Sequence, residues 1–251
     1  MARILTDEST LTKKRRSLSR ESNILKIIGI LEALLAALLL IGGIAALILK
    51  GTYGVLIIGA VAAFLAVGHI VKIRENRQEH GFVSAGLRGE VEVTGVLKET
   101  LDDETYILND VLIRHGWHSA QIDHLVVGPN GIFVIETKNW RGTITGDENE
   151  PKWRQVKNSA KEPVHVSNPI RQNERHVQIL QKWLGDKGVH PGEIHSVIVM
   201  TSPRSSWTIQ NRTVPILRPD EIGDYIKGFR PDAVPEPAQI DRITSLLVAE
   251  K

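Results

Sequence analysis

Two long apolar runs dominate the first third of the chain. The run from Ile27 to Leu49 contains one charged residue, Glu32, and the run from Tyr53 to Ile73 contains one, Lys72, near its end. About 20 apolar residues cross the hydrocarbon core of a bilayer as a helix, so each run is long enough to span it. Only residues 50–52 separate the runs, which predicts two antiparallel membrane helices, a transmembrane hairpin.

The charges that flank these runs predict their orientation. Six Lys or Arg residues lie between positions 13 and 26, and Arg74 and Arg77 follow the second run, whereas the connection has only Lys50. Positive residues favour the cytoplasmic side, so both termini are expected there. The prediction is a basic cytoplasmic tail over 1–23 and a multi-pass anchor in the cell membrane over 24–73. A signal peptide is disfavoured, because its apolar part is usually about 7–15 residues long.

Beyond residue 73 the pattern changes to short periodic segments. Residues 74–85 are polar and predict a connector, and the apolar residues of 86–101 fall on one side of a predicted helix. Strands are predicted at 106–113, 121–127 and 132–138. The last two flank Gly128-Pro129-Asn130-Gly131, a strong turn sequence.

The second half of the chain predicts further helices and strands after an irregular polar stretch, 141–167. Asn168 as N-cap and Pro169 at the first helical position predict a helix that ends near Leu184. The remaining predicted elements are strands at 195–200 and 214–217 and helices at 219–229 and 237–249. This order predicts an α/β (α+β) domain with a mixed sheet over residues 86–251.

Composition narrows the chemistry that this domain can perform. The absence of cysteine excludes a disulfide scaffold, a thiolate zinc site, an iron–sulfur cluster and a cysteine nucleophile. Residues 74–251 hold 22 basic and 25 acidic residues. A slightly acidic domain of this kind is not a general binder of polyanions.

The hairpin around Pro129 carries the most informative side chains. If residues 128–131 form the loop, Val127 pairs with Ile132 and Asp123 falls opposite Glu136, with about 4.5–5.5 Å between their Cβ atoms. Glu136 and Lys138 then share a face, because side chains alternate along a strand. A three-residue loop with a bulge would instead pair His124 with Glu136 and disperse this cluster.

Two carboxylates beside an ammonium group admit two interpretations. Adjacent carboxylates repel each other unless a proton or a cation lies between them. Mg²⁺ binds one or two carboxylates together with waters and phosphate oxygens, and such an ion can activate water for phosphodiester hydrolysis. The alternative is a buried, ion-paired cluster that only stabilises the sheet.

These segments resemble a known family. Gln121-Ile122-Asp123-His124 followed by Gly131-Ile132-Phe133-Val134-Ile135-Glu136-Thr137-Lys138 is similar to the nuclease-related domain, the NERD family, which itself resembles the PD-(D/E)XK restriction-endonuclease-like superfamily. The resemblance covers about residues 84–185 and includes Gly86-Leu87-Arg88-Gly89-Glu90, Asn109-Asp110-Val111, Gly142 with Trp153, and Asn168-Pro169 with Gln172. It departs from the superfamily at Ile122, where a proline usually precedes the aspartate.

The resemblance implies a restriction-endonuclease-like sheet flanked by helices, and it assigns roles to single residues. Asp123 and Glu136 would bind Mg²⁺ or Mn²⁺, and Lys138 would be the catalytic lysine. Glu90 matches an acidic residue of the first helix that contacts the metal directly or through water. Its spacing from Val93 and Leu97 places it on the sheet side of that helix. Gln172 matches a glutamine of the later helix that lies at the site.

A basic stretch after Lys138 is a candidate nucleic-acid surface. Arg141, Lys152, Arg154 and Lys157 could contact phosphates, and Trp153 among them could stack on a base. The alternative is a solvated polar loop.

Together these features predict a membrane-anchored, cytoplasm-facing, metal-dependent nuclease that acts on nucleic acid, with DNA favoured over RNA. The intact Asp123, Glu136 and Lys138 set favours catalysis. Two alternatives stay open. One is a catalytically inactive nuclease fold that binds nucleic acid or a partner protein at the membrane. The other is a membrane scaffold whose helical hairpin forms homo-oligomers.

Overall fold

The protein, analysed as a computed structural model, is described over residues 1–5, 10–50, 53–157, 162–232 and 235–250. Its chain divides into two compact units. One unit comprises residues 11–85. The other combines residues 1–10 with residues 86–251.

Two long helices supply the unit of residues 11–85. Helix α1 covers Thr10–Lys50, and helix α2 covers Gly54–Thr100, of which the part up to residue 85 belongs here. Lys14 Nζ lies 2.8 Å from Glu79 Oε1, and Glu32 Oε2 lies 2.6 Å from His69 Nδ1. The two helices therefore run antiparallel beside each other, with Glu32 facing its neighbour.

The predicted transmembrane hairpin is not confirmed. Among the described residues, one segment, Thr12–Ala45, is long and apolar enough to cross a membrane by length and composition. The second predicted span, 53–73, lies in α2 from Gly54 onwards and is not among the described segments that meet these criteria. Residues 51–52 of the predicted connection lie outside the described residues.

The predicted polar connector over 74–85 is instead part of helix α2. The segment contains no proline, and half of its residues carry charged or amide side chains that tolerate a helix. Polarity alone therefore does not interrupt the helix between the apolar run and the predicted helix at 86–101.

The main sheet of the larger unit has six strands in the order β1-β2-β3-β4-β8-β10. Its members are β1 (Arg3–Ile4), β2 (Tyr106–His115), β3 (His118–Gly128), β4 (Gly131–Lys138), β8 (Ile194–Met200) and β10 (Ile216–Leu217). The pairs β2–β3 and β3–β4 are antiparallel, whereas β1–β2, β4–β8 and β8–β10 are parallel. The predicted mixed sheet and α+β class are confirmed.

The start of the chain lies in this sheet and not in a free basic tail. Arg3 and Ile4 pair with Tyr106 and Ile107. The amide of Arg3 donates to the Thr105 carbonyl at 2.9 Å. Ala2 is 5% exposed and belongs to the core around Phe133. A two-residue strand carries too little periodicity to stand out in the sequence.

The β3–β4 register is the one that a loop over 128–131 predicts. Val127 pairs with Ile132, and the ladder continues to His124 opposite Ile135. Gly131 has a φ of +123°, a left-handed value that favours glycine. One further step places Asp123 opposite Glu136.

The stretch predicted as irregular, 141–167, forms most of a second sheet. Strands β5 (Gly142–Asp147), β6 (Lys152–Val156) and β7 (Val164–Ser167) join β9 (Ser205–Gln210) in the order β7-β6-β5-β9. Residues 158–161 lie outside the described residues. Each strand is short and alternates polar with apolar residues, so its apolar content resembles that of a loop.

Helices cover both faces of the main sheet. Helix α3 (Pro169–Asp186) and helix α5 (Pro237–Ala249) contribute Ile179, Leu180 and Ile243 to one core. The end of α2 and helix α4 (Pro219–Gly228) form the other core with Phe133 and Val197. These layers fix the end of β4, where the predicted site residues lie.

Candidate active site

Glu136, Lys138 and Gln172 form one hydrogen-bonded group at the end of β4. Lys138 Nζ donates to Glu136 Oε1 at 2.5 Å and to Gln172 Oε1 at 3.2 Å. The amide Nε2 of Gln172 donates to the same Glu136 oxygen at 2.8 Å. The Glu136 side chain is 3% exposed and that of Lys138 is 18% exposed. The carboxylate is thus buried but paired, as a charge in a protein interior requires.

Asp123 joins this group from the adjacent strand. Its Oδ2 accepts a hydrogen bond from the backbone amide of Thr137 at 2.8 Å. The regular β3–β4 pairing ends one residue earlier, at His124. The side chain of Asp123 therefore replaces a backbone acceptor at the point where the strands separate.

Helix α3 is held in the orientation that brings Gln172 to β4. Asn168 caps the helix by accepting from the Ile170 amide at 2.9 Å, as predicted from its position before Pro169. One turn later, fully buried Asn173 donates to the Val134 carbonyl at 2.8 Å and to Ser196 Oγ at 2.9 Å. These contacts tie the first turns of α3 to β4 and β8.

Glu90 approaches the same group from helix α2. The preceding residue, Gly89, allows close packing: a Cβ atom there would lie 2.5 Å from Thr201 Oγ1, immediately after β8. Negative charge on Glu136 and positive charge on Lys138 both act on the Glu90 carboxyl group. Gly89 thus allows helix α2 to pack closely against the end of β8.

The three carboxylates repel one another. Burial, then Asp110 and Glu136, raise the pKa of Glu90 from 4.5 to about 7, and Lys138 opposes them. Burial, then Glu136 and Glu90, raise the pKa of Asp123, against the Thr137 amide and Lys138. Crowded acids of this kind gain stability from a cation or a proton.

The second oxygen of Glu136 has a different environment. Oε2 is buried and has no hydrogen-bond partner among the described residues. His176 Nδ1, which is also buried and has no hydrogen-bond partner among the described residues, lies 3.5 Å from this oxygen. The two atoms face each other at contact distance but outside hydrogen-bond geometry.

The donor set fits a hard divalent cation bound mainly through water and substrate. It offers carboxylate oxygens, including the unpartnered Oε2 of Glu136. Within the described ranges, no group of three or more His, Asp or Glu side chains is placed to hold a metal ion. Mg²⁺ often binds one or two carboxylates and completes its shell with waters and phosphate oxygens. This set corresponds to that mode, and not to an all-protein cage.

The predicted nucleic-acid residues separate into two groups. Arg141, Lys152, Arg154 and Lys157 are exposed on or beside β5 and β6. Trp153 is fully buried, packs with Ile144 and Ile170, and donates from Nε1 to the Asp147 carbonyl at 2.9 Å. A ring with no exposed face cannot stack on a base. Trp153 is therefore a core residue, and its prediction as a nucleic-acid contact is corrected.

Two residues near the site, His176 and Asp110, have no role predicted from the sequence. His176 lies four residues after Gln172, a spacing that places both side chains on one helical face. This spacing is the sequence feature that could have indicated that His176 lies at the site. Asp110 has a φ of +53° and falls between the pairs Asn109–His124 and Val111–Ile122, so it lies opposite Asp123. A left-handed aspartate inside a strand has no comparable sequence signal.

A separate open cleft lies between β9 and the start of α4, near Trp207 and Arg218. The guanidinium group of Arg218 stacks 4.3 Å from the Trp207 ring centroid. It donates to the carbonyls of Ser202 and Ser205. These bonds make Arg218 a structural link between β9 and α4.

Comparison with known proteins shows that the segment containing these residues is similar to a known family. Residues 85–201 match the family model of NERD, the nuclease-related domain. An uncharacterized protein of Bacillus anthracis is 33% identical over 100 residues, which are 39% of this chain and 46% of that protein. The match thus spans less than half the length of this relative. No solved structure matches the chain.

Proposed function

We propose that the larger unit is a metal-dependent nuclease that hydrolyses phosphodiester bonds of nucleic acid, with DNA as the favoured polymer. The observation that carries the proposal is the buried Glu136–Lys138–Gln172 group beside Asp123. It lies within the segment that matches the nuclease-related domain.

The roles follow from the donors that each residue offers. Asp123 and Glu136 would hold Mg²⁺ or Mn²⁺, with Glu90 acting directly or through water. Such a cation lowers the pKa of bound water and stabilises charge on a phosphoryl oxygen. Lys138, held by Glu136 and Gln172, would orient the attacking water or neutralise negative charge on the phosphate. Trp140, whose ring centroid is 5.9 Å from Lys138 Nζ, flanks this ammonium group.

The exposed cations of the second sheet would bind the polymer backbone. Strand β6 alternates exposed Lys152 and Arg154 with buried Trp153, and Arg154 is flanked by Thr145 and His165 on neighbouring strands. Arg141 lies three residues after Lys138, so this face begins next to the proposed catalytic lysine. Contacts of this type position a nucleic acid without reading its sequence.

The N-terminal segments would anchor the nuclease in the cell membrane. Thr12–Ala45 has the length and composition of a membrane helix, and we propose that 53–73 returns through the bilayer. The pairing of β1 with β2 in the main sheet supports an even number of membrane crossings. Residues 3–4 pair in the same sheet as residues 106–107, so both ends of the helical segment belong on one side. The basic flanks favour the cytoplasmic side.

A second candidate is a catalytically inactive module that binds nucleic acid or a partner protein at the membrane. The observation in its favour is that the described residues contain no ready group of three metal ligands. Such a module would keep the basic face and would not need a cation.

Nuclease assays on the full chain in detergent separate these candidates. We would supply Mg²⁺ or Mn²⁺ with single-stranded DNA, double-stranded DNA or RNA, and include Glu136→Gln and Lys138→Met. Lys182→Met is the matched control, because Lys182 is exposed on helix α3. Metal-dependent cleavage that both site variants abolish and the control retains supports the nuclease. Binding without cleavage under every metal supports the inactive module.

Labelling tests the membrane topology separately. The chain has no cysteine, so single-cysteine variants report one position each. We expect Ser119→Cys to react with an impermeant thiol reagent only after cells are opened. We expect Tyr53→Cys to react in intact spheroplasts. Reaction of both only after opening would contradict the hairpin anchor.

A further inference from the structure

We propose that His176 is a positioning residue for Glu136: it donates from Nδ1 to Oε2 and leaves one lone pair of that oxygen for the cation. The inference rests on the proposed function, because it concerns how Glu136 would hold the metal. It gives His176 a role at the site and specifies Oε2 as the Glu136 oxygen that binds the ion.

The carboxylate of Glu136 can accept only a limited number of hydrogen bonds. An ionised carboxylate has about four lone-pair positions, two on each oxygen. Oε1 already accepts from Lys138 Nζ and from Gln172 Nε2, at 2.5 and 2.8 Å. Both positions on Oε1 are therefore filled by groups that the fold itself provides. A cation is left with Oε2.

The environment of Oε2 points to His176 as its protein partner. Oε2 and His176 Nδ1 are both buried, both lack a hydrogen bond among the described residues, and lie 3.5 Å apart. A carboxylate oxygen can only accept, so the imidazole must carry its proton on Nδ1 for the pair to attract. A small rotation about the side-chain torsions would bring the atoms into hydrogen-bond range. An unsatisfied buried polar atom costs about 1–3 kcal/mol, which favours that rotation.

The position of His176 on α3 makes the arrangement stiff. Gln172 and His176 are one helical turn apart, and they face the two oxygens of the same carboxylate. Asn173, between them, fixes this turn to β4 and β8. An Nδ1–H donor held by this turn orients Oε2 and leaves the other lone pair of that oxygen for the cation.

Outer hydrogen bonds of this type orient metal-binding carboxylates, and their loss typically weakens metal affinity or activity by about 10–100-fold. We would replace His176 with Asn, Gln and Phe in the full chain. Asn can place an amide donor where Nδ1 lies, Gln reaches further towards the position of Nε2, and Phe keeps the ring without a donor. The Asn and Gln variants are alike in polarity, so a difference between them does not reflect burial alone.

The readouts are Mn²⁺ affinity by calorimetry in the absence of substrate, and kcat and KM for a DNA substrate. We expect His176→Phe to weaken Mn²⁺ binding by about 10–100-fold and to lower kcat at fixed metal. KM for DNA should be unchanged. We expect His176→Asn to stay closer to the parent protein than His176→Gln in both metal affinity and kcat.

Three results would overturn the inference, and they can be distinguished from one another. If the parent protein binds Mn²⁺ and cleaves, but Asn, Gln and Phe at position 176 bind the ion equally well, only the role of His176 is wrong. Equal losses for Asn and Gln, with no preference for Asn, also exclude that role and leave the nuclease intact. If the parent protein neither binds Mn²⁺ nor cleaves any polymer, the proposed function and the inference both fail.

Discussion

Asp123 accepts a hydrogen bond from the backbone amide of Thr137 at 2.8 Å, across the point where β3 and β4 cease to pair. This bond connects the two roles that Asp123 could have. It completes the backbone hydrogen bonding of β4 between Glu136 and Lys138, and it aims the carboxyl group at the site. Substitutions that retain the acceptor but remove the charge separate the structural role from the catalytic one.

The first prediction uses that distinction. Asp123→Asn retains an oxygen that can accept from the Thr137 amide, so we expect the urea midpoint of unfolding to change little. We expect nuclease activity to fall by about 100-fold or more, because a metal-binding carboxylate is lost. Asp123→Ala removes the acceptor as well and should cost about 1–3 kcal/mol of unfolding free energy. An active Asp123→Asn protein would exclude this residue as a metal ligand.

The second prediction concerns the glycine that precedes Glu90. A Cβ atom at Gly89 would lie 2.5 Å from Thr201 Oγ1, so Gly89→Ala must move the helix or the threonine. We expect a loss of about 1–3 kcal/mol in unfolding free energy and a lower activity through displacement of Glu90.

Gly95 of the same helix is the matched control, since no described atom beyond the adjacent backbone of the helix lies within 4 Å of a Cβ built there. Gly95→Ala should leave stability unchanged or raise it by about 0.5–1 kcal/mol. If the two alanine variants unfold at the same urea concentration, the close approach at Gly89 does not limit stability.

Sequence patterns predict structure correctly where the pattern is local, such as a turn sequence, a helix cap or a regular alternation of apolar residues. The turn around Pro129 and the alternation on both sides of it predicted the β3–β4 register, and Asn168-Pro169 predicted the start of α3. Strands β5 to β7 escaped prediction because each is short and gains its stability from neighbours, including β9, about 60 residues further along the chain. Their pairing depends on tertiary contacts, which local strand propensity does not predict.

In the candidate site too, local patterns predict some contacts, whereas others depend on tertiary packing. Glu136 and Lys138 share a strand face, so their alternation predicted that they meet. His176 contacts Glu136 because α3 packs against β4 and β8, to which buried Asn173 is hydrogen-bonded. The cationic neighbours of Trp153 predict that its ring is accessible to a base. Strand alternation places it on the opposite face, in the core.

The third prediction is a pH dependence of stability without added metal. The pKa of Glu90 is raised to about 7 in the folded protein, from 4.5. The folded state therefore holds a proton that the unfolded state has lost between these values, and stability falls as pH rises through this window. The raised pKa of Asp123 acts in the same direction.

Glu90→Gln removes this contribution. We expect it to raise the unfolding free energy of the metal-free protein at pH 8 by about 1–3 kcal/mol, since one pKa unit corresponds to about 1.4 kcal/mol. At pH 4 the variant and parent should match. Urea unfolding across pH 4–8 in a chelator provides the measurement. A parent protein that becomes more stable from pH 5 to 7, with no change in slope for Glu90→Gln, would contradict the crowding of these acids.

The fourth prediction tests the basic face of the second sheet. Arg154→Glu reverses an exposed charge whose cross-strand neighbours are Thr145 and His165, so folding should be unaffected. We expect DNA affinity to fall for every sequence alike and the slope of log affinity against log salt to shrink by about 1. Lys182→Glu, an exposed charge reversal on α3, is the control. Equal effects of the two reversals would indicate a nonspecific contribution of net charge and no defined binding face.

The fifth prediction addresses the strand at the start of the chain. Ala2 is 5% exposed in the core that contains Phe133 and Ile107, and its amide donates to the Lys98 carbonyl at 3.2 Å. Ala2→Asp would bury an unpaired carboxyl group, so we expect a loss of about 2–4 kcal/mol in unfolding free energy. Leu5→Ser is the control, because Leu5 is 36% exposed. Limited proteolysis should cut the Ala2→Asp protein faster within β2, the partner of β1, while Leu5→Ser resists like the parent. If Ala2→Asp matches the parent in both assays, β1 does not stabilise the sheet. Strand β1 would then no longer support the proposal that both ends of the helical segment lie on one side of the membrane.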